Sequence, residues 1–459
     1  MNYSLRIGLN RWKSWQEHSA NRRVFAALVT VGSCTILVKL VAFIKDAIVA
    51  YQFGTGDAMD AFLVALILPQ FAVTLVGASF NTALIPTYIQ IREHEGWTAA
   101  NRLMSNVIVI AGLCLIVLSL LMAISAAHVL PLLARGFSLE KLLQARSLYL
   151  ILLCTLLLHG IGTIWGAVLN AVNRFALVAI LPIVTSVVTA VAVVVLARSY
   201  GAHVLAGGVV IGALIETSLM GWCLQREGVS LIPRWGGMTP AVRQVLGQYA
   251  PMVAGAFLMG GTTIVSQSMA AMLEPGSVSV ITYANKVPSL LLGIGATAVS
   301  TAFLPHFSHL VAVADWRGLR RTIETYSRLL FSVAIPVTAV LAYFSEPLIA
   351  VLFQRGAFTD ADTHLVAPVQ IMYLLQVPVY IVGMLFVRLV SALKANHLMM
   401  WANVLNLSLC ILLTYVLVHL MGVAGIALAT SSIYFFNTAF LFGMSRRILS
   451  RAPDHRCAA

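Results

Sequence analysis

LVKLVAFIKDAIVAYQFGTGDAMDAF, residues 37–62, reads as the middle of a membrane helix that nevertheless carries charge. It continues an apolar run that begins at Phe25, halts at Gly54-Thr55-Gly56 and resumes past Asp57. Such a run exceeds the ~20 residues a helix needs to cross the hydrocarbon core of a bilayer. Three charges nevertheless sit inside it, Lys39, Lys45 and Asp46, with Asp57 and Asp60 just beyond. A lysine at mid-bilayer costs about 2.5–3.5 kcal/mol on insertion scales, so each of these residues calls for water, a partner or a function. Lys39 lies roughly 22 Å of helical rise from the start of its span, too deep to reach the interface easily. Asp46 follows it by seven residues, two helical turns, and shares its face.

The same apolar texture fills the chain. Of 459 residues, 60% are hydrophobic and 10% charged, well outside the composition of soluble globular proteins. About twelve apolar runs of spanning length follow one another between residues 24 and 445, with no room for a soluble domain between them. The first run is too long for a signal-peptide core and ends in no small-residue cleavage site, so residues 1–23 are expected to remain as a cytoplasmic segment. Six cysteines, at 34, 114, 154, 223, 410 and 457, show no paired spacing and indicate neither a disulfide framework nor a metal site.

The formal net charge of +13 reads as membrane orientation rather than nucleic-acid binding. With the N-terminus inside, twenty basic residues fall in inner loops and tails. Five fall outside: Arg135, Lys141, Arg146, Arg198 and Arg355. This asymmetry predicts both termini in the cytoplasm and an even number of spans. The remaining four basic residues, Lys39, Lys45, Lys286 and Arg388, lie within spans.

The chain also repeats itself. ALILPQ (65–70) aligns with ANKVPS (284–289), NTALIP (81–86) with STAFLP (300–305), ARGF (134–137) with QRGAF (354–358), and NAVNRF (170–175) with SALKAN (391–396). The offsets are 219, 219, 220 and 221 residues. Four ordered matches at nearly constant offset predict two homologous halves. Six spans each makes them parallel repeats about an axis along the membrane normal, with a cavity expected at their interface. The expectation is therefore an all-α polytopic membrane protein of about twelve transmembrane helices, in two homologous six-helix lobes around a central cavity. The lobes are residues 24–228 and 246–445, joined by a cytoplasmic linker at 229–245 and followed by a cytoplasmic tail at 446–459. Pro69 and Pro288 occupy equivalent places in the second helix of each half, so a kink or break is expected at both.

Lysines outnumber acids deep in the spans, which implies a net-positive cavity suited to an anionic solute such as a diphosphate. Lysine binds and releases such a group as a point charge, without arginine's fixed fork. A buried Lys39–Asp46 ion pair that merely joins helices is the bland reading of the same residues. Arg388 either contributes to the cavity or pairs locally. His306 and His309, three apart, have no Glu or Cys beside them and read as interfacial residues. The recurring Arg-Gly-Phe and Arg-Gly-Ala-Phe loops read as structural closures, with an outer gate as the alternative. No phosphate loop, nucleophile elbow or zinc helix is present, so neither ATP drive nor bond chemistry is supported.

KDAIVAYQFGTGDAMDAFLVALILP (45–69), LNAVNRF (169–175), GSVSVITYANKVPSLLLGIGATAVSTAFLP (276–305) and LFQRGAFT (352–359) resemble the MurJ/MviN family of lipid II flippases, within the multidrug/oligosaccharidyl-lipid/polysaccharide exporter superfamily. The resemblance covers nearly the whole twelve-helix core. It implies alternating-access flipping, across the bacterial cytoplasmic membrane, of a polyprenyl-diphosphate-linked oligosaccharide, either lipid II or a related envelope or exopolysaccharide intermediate. It places Lys39, Lys45 and Lys286 at the family's cationic substrate-binding positions, the first two where those flippases carry arginines. Asp46 and Asp60 fall at retained acids, and Asn285 stands where the family has an aspartate. The three lysines keep the charge and lose the bidentate geometry. After Pro69, where the family carries charge, this chain has Phe71-Ala72-Val73-Thr74 and Val76-Gly77-Ala78. No cofactor is implied. The expected drive is the membrane potential or a Na+ or H+ gradient, and the expected operating state is a monomer, with glycan-assembly enzymes as candidate partners. Two other classes stay open: a drug or small-cation antiporter of the same superfamily, which would need cavity acids, and a non-transporting scaffold in a glycan-assembly complex.

Overall fold

In a computed structural model, the structure describes residues 20–172, 174–229, 231, 234–395 and 397–451. The predicted N-terminal segment lies almost wholly outside these residues, as does the end of the predicted tail. Every regular element described is a helix. In order they are α1 (Ala20–Phe53), α2 (Asp57–Glu95), α3 (Trp97–Leu133), α4 (Leu139–Ala171), α5 (Phe175–Ile180), α6 (Ile183–Tyr200), α7 (His203–Arg226) and α8 (Pro240–Ala271). The second half continues as α9 (Ser277–Ala284), α10 (Lys286–Ala312), α11 (Trp316–Tyr343), α12 (Ser345–Phe353), α13 (Asp360–Leu374), α14 (Gln376–Ala392), α15 (His397–Met421) and α16 (Val423–Arg451). Among the described residues ten segments are long and apolar enough to cross a membrane. The 34-residue α1 and 32-residue α8 complete a twelve-span, multi-pass architecture.

Several predicted spans are interrupted, and three breaks share a cause. α9 ends at Ala284, α11 at Tyr343 and α13 at Leu374, each four residues before a proline: Pro288, Pro347 and Pro378. Proline has no N–H to give the carbonyl four residues back, and its ring collides with that carbonyl. The chain closes one turn and begins the next helix, with the proline tolerated in its first turn. Thus Lys286 opens α10 directly after the junction residue Asn285. Pro69, the repeat mate of Pro288, lies buried within α2, which runs without interruption from Asp57 to Glu95.

By packing, the chain divides into two compact units that do not follow the two sequence halves. One comprises Met1–Val49, Ala72–Ile124 and Leu150–Met252; the other Ala50–Phe71, Ser125–Tyr149 and Val253–Ala459. The first unit has a core of Leu84, Tyr88, Met104, Val107, Leu156, Val168 and Leu224. The predicted linker docks there: Asn106 accepts from Gly236 N–H at 2.6 Å and donates to the Gly237 carbonyl at 3.1 Å. The second unit is filled by Val299, Phe303, Phe307, Leu319, Leu385, Leu389 and Leu441.

Candidate functional site

Within the second unit the most developed polar structure surrounds Asp60. Gly54, at φ +58°, ends α1, and α2 opens with Asp57 in its first turn, where a negative charge meets the positive helix end. Asp60 is only 1% exposed. Its carboxylate accepts from Gly276 N–H at 2.7 Å, Ser279 N–H at 2.9 Å and Ser279 Oγ at 2.9 Å, so it seats the otherwise unpaired amides of the first turn of α9. Lys141, at the start of α4 and 7% exposed, adds its Nζ at 3.1 Å to Asp60 and 2.6 Å to Asp57. The Phe137 ring lies 4.0 Å from that ammonium. Gly276 permits the arrangement: its φ is +91°, and a Cβ there would stand 2.5 Å from the Thr55 carbonyl oxygen.

These contacts carry the internal duplication into three dimensions. Asp60 and Ser279 are separated by 219 residues, the repeat offset, so equivalent positions of the two halves touch each other. The glycines of the repeated Arg-Gly loops do the same reciprocally. Gly136 abuts the Ala271 carbonyl, and Gly356 abuts the Tyr51 carbonyl; both glycines and both carbonyls are related by 220 residues. Such crossed pairs are what a twofold relation requires. Ala357 N–H donates to Tyr51 O at 2.7 Å, and Phe358 packs edge-on against Tyr283 with centroids 5.6 Å apart.

The cations singled out from sequence lie in both units. In the first, Lys45 Nζ contacts Asp46 Oδ1 at 2.8 Å, so the acid pairs with its sequence neighbour, whereas helical periodicity put it on the face of Lys39. Lys39 is exposed and makes no salt bridge among the described residues. In the second unit, Arg388 is half-buried and donates Nε to Ser300 Oγ at 2.9 Å. Lys286 is half-buried at the α9–α10 junction.

Lys286 and Asn285 help line a cavity of about 600 Å³ inside the second unit, walled by α8, α9, α10, α13, α14, α15 and α16. Lys286 is the sole formally charged group among the described lining residues. The rest of its polar wall is neutral: the amides of Gln267, Asn285, Gln376, Asn403, Asn406 and Asn437, with hydroxyls that include Tyr380 and Tyr434. Asp60 and Arg388 do not line this cavity. The carbonyl oxygens of Asn285, Asn406 and Asn437 are buried with no protein hydrogen-bond partner among the described residues. An unpaired buried acceptor of this kind costs about 1–3 kcal/mol.

Sequence reasoning missed two sets of residues. Lys141 was placed among the outer-loop charges, and no local pattern distinguishes it from Arg135 or Arg146. Glu216, 6% exposed near the middle of α7, accepts from Thr185 Oγ1 at 2.5 Å and interacts electrostatically with His159 of α4. Here the signal was available, since an ionisable residue inside a span is a functional candidate by default.

A twelve-span helical chain with cations inside its spans and a polar cavity walled by broken helices belongs to the class of polytopic membrane transporters. A family model described as "Lipid II flippase MurJ" matches residues 49–456. Curated relatives include a probable lipid II flippase MurJ of Synechocystis sp., 27% identical over 91% of this chain and 81% of the relative. The lipid II flippase MurJ of Burkholderia cenocepacia is 26% identical over 92% and 84%. A solved lipid II flippase MurJ in an inward closed conformation superposes with a TM-score of 0.80 at 22% identity, covering 91% of this chain and 87% of that one. An inward-facing multidrug resistance MATE transporter of the MOP superfamily reaches 0.75 at 13% identity, covering 94% and 100%. The chain belongs to the lipid II flippase MurJ family, and its fold is the one those structures share.

Proposed function

We propose that this protein is a flippase that carries a polyprenyl-diphosphate-linked glycan precursor, lipid II or a closely related envelope intermediate, across the bacterial cytoplasmic membrane by alternating access. It acts as a transporter and makes or breaks no bond in its substrate. The observation that carries the reading, given the family, is Lys286: a cation set at a proline-enforced helix junction, on a polar cavity whose described lining holds no carboxylate. That chemistry favours an anionic substrate with a large neutral polar part. It argues against a drug-cation antiporter, which would need acids in the same place. Lys39 and Lys45 supply further positive charge for the diphosphate during the cycle, with Asp46 holding Lys45 in place between substrate encounters.

In this reading both termini are cytoplasmic, following the distribution of basic residues, and the Asp60–Lys141 cluster lies at the outer ends of its helices. Release of that cluster is then the step that opens the outer side. Each elementary charge moved across 100 mV supplies about 2.3 kcal/mol, so the membrane potential or a coupled ion gradient can bias the cycle. The protein works as a single chain and hands its cargo to glycan-assembly enzymes.

The test is single replacement of Lys39, Lys45 and Lys286 by alanine in reconstituted vesicles, with lipid-linked precursor exposed at the far leaflet as the readout. Losses of about tenfold or more are expected for Lys286→Ala, the scale of one charge-assisted contact. Three folded variants that all flip at the normal rate would remove the cationic mechanism. Complementation of cells depleted of their lipid II flippase then separates lipid II from a related glycan.

A further inference from the structure

The cavity of the second unit has chemistry that a diphosphate alone does not explain. A diphosphate needs cations, and the described wall offers one, Lys286, at the α9–α10 junction. A polyprenyl chain needs a dry apolar lining, and against it six amides would be buried without partners. A saccharide needs groups that both donate and accept, because every sugar hydroxyl does both. Amides supply this: a half-turn of an Asn or Gln side chain exchanges its donor and acceptor ends at the wall.

Four further observations fit. Asn285, Asn406 and Asn437, from the α9–α10 junction, α15 and α16, each line the cavity, and each has its carbonyl oxygen turned into the packing without a protein partner among the described residues, so rotation of the amide would bring that acceptor to the wall. Tyr380 and Tyr434, also on the wall, meet edge to face with centroids 5.1 Å apart at 89°. Aromatic side chains of this kind are surfaces on which the C–H side of a sugar ring packs. The volume of about 600 Å³ lies within the ~300–1,000 Å³ of small-molecule sites. Finally, Asn285 and Lys286 are consecutive. In a polyprenyl-diphosphate glycan the first sugar is bonded directly to the diphosphate, and an amide and a cation that line the same cavity offer a partner to each.

We infer that this cavity is a saccharide subsite, in which Asn285, Asn406, Asn437 and the Tyr380–Tyr434 pair hold the sugar nearest the diphosphate while Lys286 faces the diphosphate itself. The inference rests on the flippase reading and deepens it by assigning the glycan to the second unit.

The experiment compares binding of two lipids to the purified full-length chain in detergent: undecaprenyl diphosphate, and the same lipid carrying one N-acetylglucosamine. The native protein is expected to bind the sugar-bearing lipid about tenfold more tightly, the ratio that ~1.4 kcal/mol of added hydrogen bonding gives. Asn406→Leu and Asn437→Leu abolish that preference and leave affinity for the bare lipid unchanged, whereas Lys286→Gln weakens both lipids alike. The same leucine variants raise the thermal midpoint of the substrate-free protein, because each removes a buried unpaired acceptor. Asn406→Ser and Asn437→Ser, which keep a hydroxyl, retain part of the preference and serve if a leucine variant fails to fold. Equal binding of the two lipids by the native protein, or a preference that survives the asparagine substitutions, overturns the subsite and leaves the flippase reading intact. Failure of the native protein to bind either lipid overturns the flippase reading and the subsite with it.

Discussion

Replacing Asp60 with alanine removes one carboxylate and unseats three elements at once. The carboxylate is 1% exposed and accepts four hydrogen bonds: two from backbone amides of the first turn of α9, one from Ser279 Oγ and one from Lys141 Nζ. Breaking a buried ion pair by deleting one partner typically costs about 3–5 kcal/mol, since the other charge is left uncompensated. Here Asp57 still holds Lys141 at 2.6 Å, so the lower end applies, about 3 kcal/mol. Asp60→Asn keeps the shape and one acceptor. Its NH2 must then face either the Gly276 amide and Lys141 or the two Ser279 donors, at a cost of about 2 kcal/mol. Asp57→Asn is the control: the Asp57 side chain is 63% exposed, and solvent screening limits its loss to below about 1 kcal/mol. The assay is amide hydrogen exchange, because Asp60 binds the exchanging N–H groups directly. Exchange at Gly276 and Ser279 in Asp60→Ala should accelerate about a hundredfold, the factor corresponding to ~3 kcal/mol of local opening. Asp57→Asn should change it by less than about fivefold. Native exchange over residues 274–284 in Asp60→Ala would refute the argument that this carboxylate holds the end of α9.

Two further substitutions probe the packing. Gly356→Ala meets both a φ of +62° and the Tyr51 carbonyl, and should cost more, about 2 kcal/mol, than Gly136→Ala. Gly136 meets the Ala271 carbonyl oxygen, 2.7 Å from a Cβ placed there, with no left-handed φ; thermal unfolding of the two variants in detergent checks the order. Glu216→Leu should destabilise by about 1–3 kcal/mol because Thr185 Oγ1 loses its acceptor, whereas Glu216→Gln keeps that bond and should remain within about 1 kcal/mol of the native protein by the same measurement.

Residue order alone places this chain in a membrane, gives about twelve crossings and reveals an internal repeat. Transfer free energy accumulates residue by residue along a span, and a duplication is written directly as a constant offset. The repeated Arg-Gly loops and the cations Lys39, Lys45 and Lys286 were legible for the same reason: each stands out against its immediate neighbours. Three helix breaks were legible in principle from the place of a proline, whereas α2 continues without a break through Pro69. Which charges meet, by contrast, depends on how distant segments pack. Lys141 looked like any outer-loop cation until folding set it between Asp57 and Asp60, more than eighty residues away, and Asp46 pairs with its sequence neighbour Lys45. Apart from Asn285, the amides of the cavity carried no signal in the sequence, because neutral side chains leave little trace in hydropathy or charge patterns. They come together only when seven helices close around them, since distances between side chains far apart in the chain are set by packing.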